Sequence, residues 1–164
     1  MKELSNSEAW LWATTRCAQS EQCSYDISQK LIKRGLSPGQ ANALAKRLEA
    51  EGYINEQRYA RAFTHDKLLY DRWGRQKISA ALRAKHLSAN PIAMALAEID
   101  PTEYEATLAS LLKSKAPHIE AENDYLRRQK LARFAAGRGF ELPLVFKLLD
   151  LEESDDDEPY DETF

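Results

Sequence analysis

The sequence predicts an all-α fold: tandem repeats of a three-helix unit, three repeats and nine helices, elongated and open to curvature. The first observation behind this is a gapless internal alignment on Gly35, His86 and Gly139. Eight residues before these anchors stand Ile27, Ile78 and Leu131, and four before stand Leu31, Leu82 and Ala135. One residue after come Leu36, Leu87 and Phe140; six after, Ala41, Ile92 and Val145. Nine after stand Leu44, Ala95 and Leu148, and ten after stand Ala45, Leu96 and Leu149. These offsets draw one apolar stripe on each of two consecutive helices with a tight turn between them. The second observation is that the 6 glycines and 6 prolines fall mostly at positions that read as helix ends. A unit of about 50 residues hardly buries enough surface to stand alone, so neighbouring units should stack.

The elements follow in order. Ser5-x-x-Glu8 has capping-box spacing and opens a helix to about residue 19. Ser24 or Asp26 opens a second, which ends at Arg34 with Gly35 as its left-handed residue. Ser37-Pro38-Gly39-Gln40 places a cap, a proline at the first helical position and Gln at N3, and that helix stops at Gly52. Asn55 caps a fourth helix that ends near Tyr70, and Gly74 precedes a fifth from Arg75 to Lys85. Asn90-Pro91 starts a sixth, and Asp100-Pro101-Thr102-Glu103 is a further capping box for the seventh, to about Lys115. Pro117 and His118 mark a loop, an eighth helix spans Asp124 to Ala136, and the ninth runs from Leu142 to Leu149. The repeats are expected at 1–52, 53–99 and 100–149, followed by a disordered acidic tail at 150–164.

Charge is unevenly distributed. The chain of 164 residues has a net charge of −3, yet residues 150–164 carry nine acids and no base. Without them 23 bases face 17 acids, so the body is basic and suits an anionic partner. The tail is too charged to fold alone, and it either solubilises the chain or competes with nucleic acid for the basic face. No run approaches the roughly 20 apolar residues of a membrane helix, and Met1–Glu8 lacks a secretory apolar segment. The expected location is therefore the cytoplasm. Cys17 and Cys23 have neither zinc nor redox spacing and read as two buried, reduced thiols.

Catalytic patterns are missing. His65, His86 and His118 form no metal or dyad spacing, and no GxSxG, Walker or GxGxxG loop occurs. The expectation is a non-enzymatic protein without cofactor or metal. The informative groups are basic: Lys30, Lys33 and Arg34; Arg58 and Arg61; Arg72, Arg75 and Lys77 around Trp73; and Arg127, Arg128, Lys130 and Arg133. Arginine forks suit phosphate or carboxylate, although a charged helix face paired with nearby acids would look the same. Trp73 reads either as an exposed contact or as a wedge between repeats. Tyr59 and Phe63 belong to an apolar stripe, Tyr53 should pack under a turn, and one of Trp10 and Trp12 should be partly exposed. Asp66, between Phe63 and Tyr70, falls on the side that should be buried and would then need a partner.

Several segments resemble the RecX family of bacterial recombination regulators. The most specific is Glu51-Gly52-Tyr53-Ile54-Asn55-Glu56-Gln57-Arg58-Tyr59-Ala60-Arg61-Ala62-Phe63, which follows the family's EGYL(D/N)(D/E)xR(F/Y)Axx(F/Y) pattern nearly throughout. Leu31–Ser37, Trp73–Ile78 and Leu82–Leu87 resemble its turn and helix-start segments, with His86 where the family has glycine. The third unit is similar through Lys130–Phe134 and Arg138–Phe140, and the resemblance covers about residues 7–149.

That resemblance implies tandem three-helix repeats and binding to the RecA–DNA filament; the protein is expected as a monomer. Binding would damp recombinase, ATPase and coprotease activity, in DNA repair, recombination and the SOS response. DNA, single- or double-stranded, would be met largely without regard to sequence. The family has no catalytic residues to carry over. Two other readings remain: a helix-turn-helix DNA-binding module, weakened by the lack of a base-reading row of Arg, Asn and Gln, and a helical scaffold for another protein.

Overall fold

A computed structural model of the chain describes residues 3–156; beyond Leu151 it describes only helical backbone. Among the described residues the architecture is nine α-helices and a short 3-10 turn, without a strand. The helices are α1 (Asn6–Gln19), α2 (Ser24–Lys33), α3 (Pro38–Ala50), α4 (Glu56–Leu69), α5 (Arg75–Ala84), α6 (Ala89–Ala97), α7 (Pro101–Lys115), α8 (Asp124–Gly137) and α9 (Leu142–Asp156), with the 3-10 turn at Ala116–His118.

Local chemistry sets most of these ends. Ser5 accepts from the Glu8 N–H, and Ser37 and Gln40 close a reciprocal capping box ahead of Pro38. Asn55 accepts from the Arg58 N–H at 2.9 Å, and Asp100 accepts from Thr102 and Glu103. Each satisfies a donor that the first helical turn leaves open. Two ends differ from the sequence reading. Helix α6 is capped at Ser88, and the Asn90-Pro91 pair lies inside its first turn. Helix α9 continues past Leu149 to Asp156, so the first acids of the tail are helical; residues 157–164 lie outside the described residues.

The three aligned anchors share one conformation. Gly35, His86 and Gly139 have φ of 101°, 63° and 96°. Around each, the following residue donates back five positions: Leu36 to Leu31 O, Leu87 to Leu82 O and Phe140 to Ala135 O, at 3.1, 3.3 and 3.1 Å. The anchor itself donates three back, to Ile32, Arg83 and Ala136. This is the Schellman turn in triplicate. His86 adopts a backbone that L side chains avoid, and its ring packs on Tyr25 with centroids 4.3 Å apart.

The chain divides into two compact units, one comprising residues up to His65 with Ser79–Glu98, the other Asp66–Ile78 with residues from Ile99 onward. In the first, Ala9 and Ala13 of α1 lie against Ile27 and Leu31 of α2, Ala41 and Leu48 of α3, and Ile54. Two alanines one turn apart let the α1 backbone approach closely. In the second, Tyr104, Leu108, Leu111 and Leu112 of α7 face α8 and α9, which bring Leu131, Ala135, Phe140, Val145 and Leu149. Fully burying each large side chain contributes about 1.5–3 kcal/mol.

One junction recurs. In the first unit the start of α2 meets the α5–α6 turn, where Lys85 Nζ reaches Asp26 at 2.7 Å beside the Tyr25–His86 pair. In the second the start of α5 meets the α8–α9 turn: Gly74 N–H donates to Arg138 O at 2.8 Å and Gln76 N–H to Gly139 O at 3.0 Å. Tyr25 and Gln76 each stand ten residues before their own turn anchor. A tyrosine from the next repeat's first helix closes each junction. Tyr59 lies against Cys23 and Asp26, while the Tyr104 hydroxyl accepts from the Arg75 N–H at 3.0 Å and donates to Glu141.

Burial raises both phenols well above their ordinary value, with Cys23 and Asp26 adding to Tyr59 and Glu141 to Tyr104. A raised acid favours its neutral form in the folded state, so the stability it contributes is full below the unfolded value near 10 and falls as pH rises above it. Stability is therefore expected to drop above about pH 10, and Tyr59→Phe/Tyr104→Phe should flatten that drop in denaturant melts. Parallel slopes for the two proteins would remove the tyrosines as its source.

Three sequence expectations are corrected. Asp66 is exposed rather than buried: α4 ends at Leu69, and Tyr70, 75% exposed, does not continue its apolar stripe. Tyr53 is exposed and meets Trp10 edge-on at 5.6 Å instead of lying under the turn. Trp10 and Trp12 are both half-buried. Cys17 and Cys23 are free thiols, half-buried and buried, and burial pushes both upward, away from the reactive thiolate.

Candidate nucleic-acid interface

The cations fall into two groups, those engaged with the protein's own oxygens and those without an acid. Arg58 belongs to the first: it donates from Nε to Glu21 and from Nη2 to Gly52 O, both at 2.9 Å, fastening the loop after α3 to the end of α1. Arg61 grips Glu98 with two bonds of 2.7 Å, which holds that carboxyl below its usual range. Arg75 lies 3.9 Å from the Tyr104 ring centroid and 3.6 Å from Glu141. It thus stands at the recurring junction.

The loop before α5 is strained and aromatic. Arg72 has φ 52° and reaches Ser114 Oγ at 3.3 Å. Trp73, half-buried, has Lys67 Nζ at 4.7 Å and Lys77 Nζ at 4.5 Å from its ring centroid, and Lys67 also pairs with Asp71 at 3.1 Å. On α8, Arg127 donates to Ala116 O and Lys130 to Glu120 O, both at 2.5 Å, which ties the 116–120 loop to the helix. Arg128 pairs with Asp150 of α9 and lies over Phe146. Arg133 is exposed, and no acid among the described residues pairs with it.

The second group is densest on the first repeat. Lys30, Lys33 and Arg34 end α2, where positive charge suits the helix dipole. No acid among the described residues pairs with any of them. Arg34 lies 5.9 Å from the Trp12 centroid, and Arg16, one turn along α1 from Trp12, lies 5.1 Å from it. The sequence reading took in Lys30, Lys33 and Arg34 but not Trp12 or Arg16; Trp12-x-x-x-Arg16, an i,i+4 aromatic–cation pair, was the available signal. No three His, Cys, Asp or Glu among the described residues are grouped to hold a metal, and no described helix is long and apolar enough to cross a membrane.

Two family models match the chain. That described as "RecX, second three-helix domain" matches residues 55–96, and "RecX, third three-helix domain" matches residues 103–149. A regulatory protein RecX of Pseudomonas fluorescens is 28% identical over 140 residues, 85% of this chain and 88% of that one. A regulatory protein RecX of Thermus thermophilus is 29% identical over 141 residues, 86% and 89% of the two chains. Against that of Lactobacillus johnsonii, 25% identical, the chain spans 59% of the relative's length. A crystal structure of RecX from Lactobacillus salivarius aligns with a TM-score of 0.75 at 14% identity, over 91% of this chain and 97% of that one. A second crystal structure of a regulatory protein RecX gives 0.75 at 19% identity, over 88% and 73%. At these identities the solved structures speak to the fold.

Proposed function

The chain belongs to the RecX family, and on that premise we propose that it binds the RecA filament on DNA and restrains its strand-exchange, ATPase and coprotease activities. It acts in the cytoplasm, as a monomer, through contact with protein and nucleic acid, and it performs no catalysis. The repeats at 1–52, 53–99 and 100–149 are its contact modules. The observation that carries the reading is the family match on two successive repeats, joined to a basic body whose cations are not all neutralised internally. Phosphate contacts by lysine and arginine are largely indifferent to sequence, which suits a ligand of varied DNA. Lys30, Lys33, Arg34, Trp73, Lys77 and Arg133 are the favoured contacts. Arg58, Arg61 and Arg75 serve mainly to hold the repeats that present them.

Adding the protein to RecA with single-stranded DNA and ATP should lower both hydrolysis and strand exchange. Absence of inhibition together with tight, sequence-specific duplex binding would favour a helix-turn-helix module instead. Absence of both would favour a scaffold. Neutralising Arg72 and Lys77 together should weaken filament binding several-fold with helix content unchanged in circular dichroism. Unaltered filament binding would take the Trp73 loop out of the interface.

A further inference from the structure

We propose that Trp12, Arg16 and Arg34 form a contact site for single-stranded nucleic acid on the first repeat: the two guanidiniums hold backbone phosphate and the indole supports an unpaired base. The site rests on the nucleic-acid reading above and lies outside the residues that the two family models match.

Trp12 packs partly against the core of the first unit, which fixes its ring. Arg16 approaches that ring from the last turn of α1, and Arg34 from the residue before left-handed Gly35. Both origins are rigid, one a helix and the other a Schellman turn. Two positive charges therefore stand within 5.9 Å of one ring centroid. Elsewhere Arg47, Arg58, Arg61, Arg75 and Arg128 each pair with a carboxylate. Among the described residues, Arg16 and Arg34 do not. Glu3 lies beside Gly35 but makes no ion pair with Arg34, and Glu8, two turns before Arg16 on α1, makes none either. The Arg16 Nε is withdrawn from solvent with no hydrogen-bond partner among the described residues. A buried open donor favours any small rotation that brings an anionic acceptor to it.

A related pairing occurs in the second unit, with the ring on the second helix of its repeat rather than the first. There Lys115, the last residue of α7, and Arg138, the residue before left-handed Gly139, lie 4.8 and 5.3 Å from the Phe134 centroid. A chain of this length carries about two strong cation–π pairs at the general rate, whereas here Trp12, Phe134 and Trp73 carry two cations each. The Phe134 version is partly engaged, because Arg138 also donates to Asp71 O at 3.2 Å. At Trp73, Lys67 is paired with Asp71. At Trp12, neither cation has a hydrogen-bonded oxygen among the described residues.

The chemistry selects the ligand class. One guanidinium fork fills one carboxylate. Two forks on a ring, with Lys33 exposed one residue from Arg34, suit a run of phosphates. A half-buried indole beside the two cations can add stacking for any base once a guanidinium turns from the ring to phosphate, which favours a single strand over an acidic protein surface.

The test measures binding of the full chain to fluorescein-labelled oligo-dT of about 20 nucleotides by anisotropy across a salt series. Arg16→Gln/Arg34→Gln should weaken binding about tenfold in low salt and lower the slope of log K against log salt by about 1.4, the loss of two single-strand phosphate contacts. Trp12→Phe should reduce the oligonucleotide-dependent change in tryptophan emission, leaving only what Trp10 and Trp73 contribute. Lys147→Gln, whose lysine pairs with Glu105 on the third repeat, should stay within twofold of the parent protein. Should the double variant lose helix content, Arg34→Gln alone carries the test, with a slope change of about 0.7. A parent protein that binds while the arginine variants keep its affinity and slope overturns this site alone. Loss of RecA binding with oligo-dT affinity intact also overturns it, and assigns the pair to an acidic protein surface. A parent protein that does not bind oligo-dT overturns the site together with the nucleic-acid part of the proposed function.

Discussion

Gly74→Ala is expected to destabilise the protein by roughly 3 kcal/mol or more, lowering its melting temperature by about 6–12 °C. A Cβ at Gly74 would stand 2.4 Å from the carbonyl carbon and oxygen of Gly139 and 2.5 Å from the Phe140 nitrogen, against ordinary contacts of about 3.5–4 Å. These are backbone atoms within a Schellman turn, so no flexible side chain can yield. Separating the two segments would stretch the Gly74–Arg138 and Gln76–Gly139 hydrogen bonds, each worth about 0.5–1.5 kcal/mol. Strain and lost bonding therefore act together. The comparison is Gly137→Ala, at the end of α8, whose added Cβ meets nothing within 4 Å beyond its chain neighbours and its own helix backbone; it should be neutral or stabilise by up to about 1 kcal/mol. A Gly74→Ala protein that melts within about 2 °C of the parent would show that the junction gives way at little cost, against the close packing assigned to it.

Removing residues 150–164 should tighten binding to DNA and to the RecA filament about tenfold at low salt, with the gain shrinking as salt rises. The deletion removes nine acids and shifts the net charge from −3 to +6, 23 bases against 17 acids. It also removes Asp150, the carboxylate paired with Arg128. The field of such a segment reaches about 10 Å at 0.1 M salt and about 3 Å at 1 M, so its effect on an anionic ligand must fade over that range. Stability should hardly change, because Asp150 is mostly exposed and a pair of this kind contributes about 0–1 kcal/mol. Equal affinity of the intact and shortened chains at low salt would leave the segment only a solubilising role.

Much of the fold was legible because its signals are local. Ser5, Ser37, Asn55 and Asp100 cap helices through groups within three residues of themselves. The aligned columns are also local, since two stripes and a tight turn lie within some twenty residues. Of those columns Ile27, Ile78 and Leu131, Leu31, Leu82 and Ala135, and Leu36, Leu87 and Phe140 are all buried. Asp66 was misplaced because the stripe was extended through Tyr70, one residue beyond the end of α4. Ser88 was passed over because Asn90-Pro91, a stronger turn signal, stood next to it.

The candidate interface was legible only as a list of cations. Arg58 and Arg61 look as available in sequence as Lys33, yet Glu21 and Glu98, each 37 positions away, engage them. Trp12 and Arg16 offered only an i,i+4 pair in sequence; the turn at Gly35 brings Arg34 to the same ring.

By itself, then, the sequence determined the helices, most of their caps, the threefold recurrence of the turn and the basic excess of residues 1–149. Each of these depends on neighbours along the chain or on composition. Only the tertiary structure decided that Gly74 must lack a side chain, that Tyr104 closes onto the start of α5, and which arginines are neutralised internally. Those depend on distances between segments tens of residues apart, where backbone contact and ion pairing act through space and leave no periodic trace in the chain.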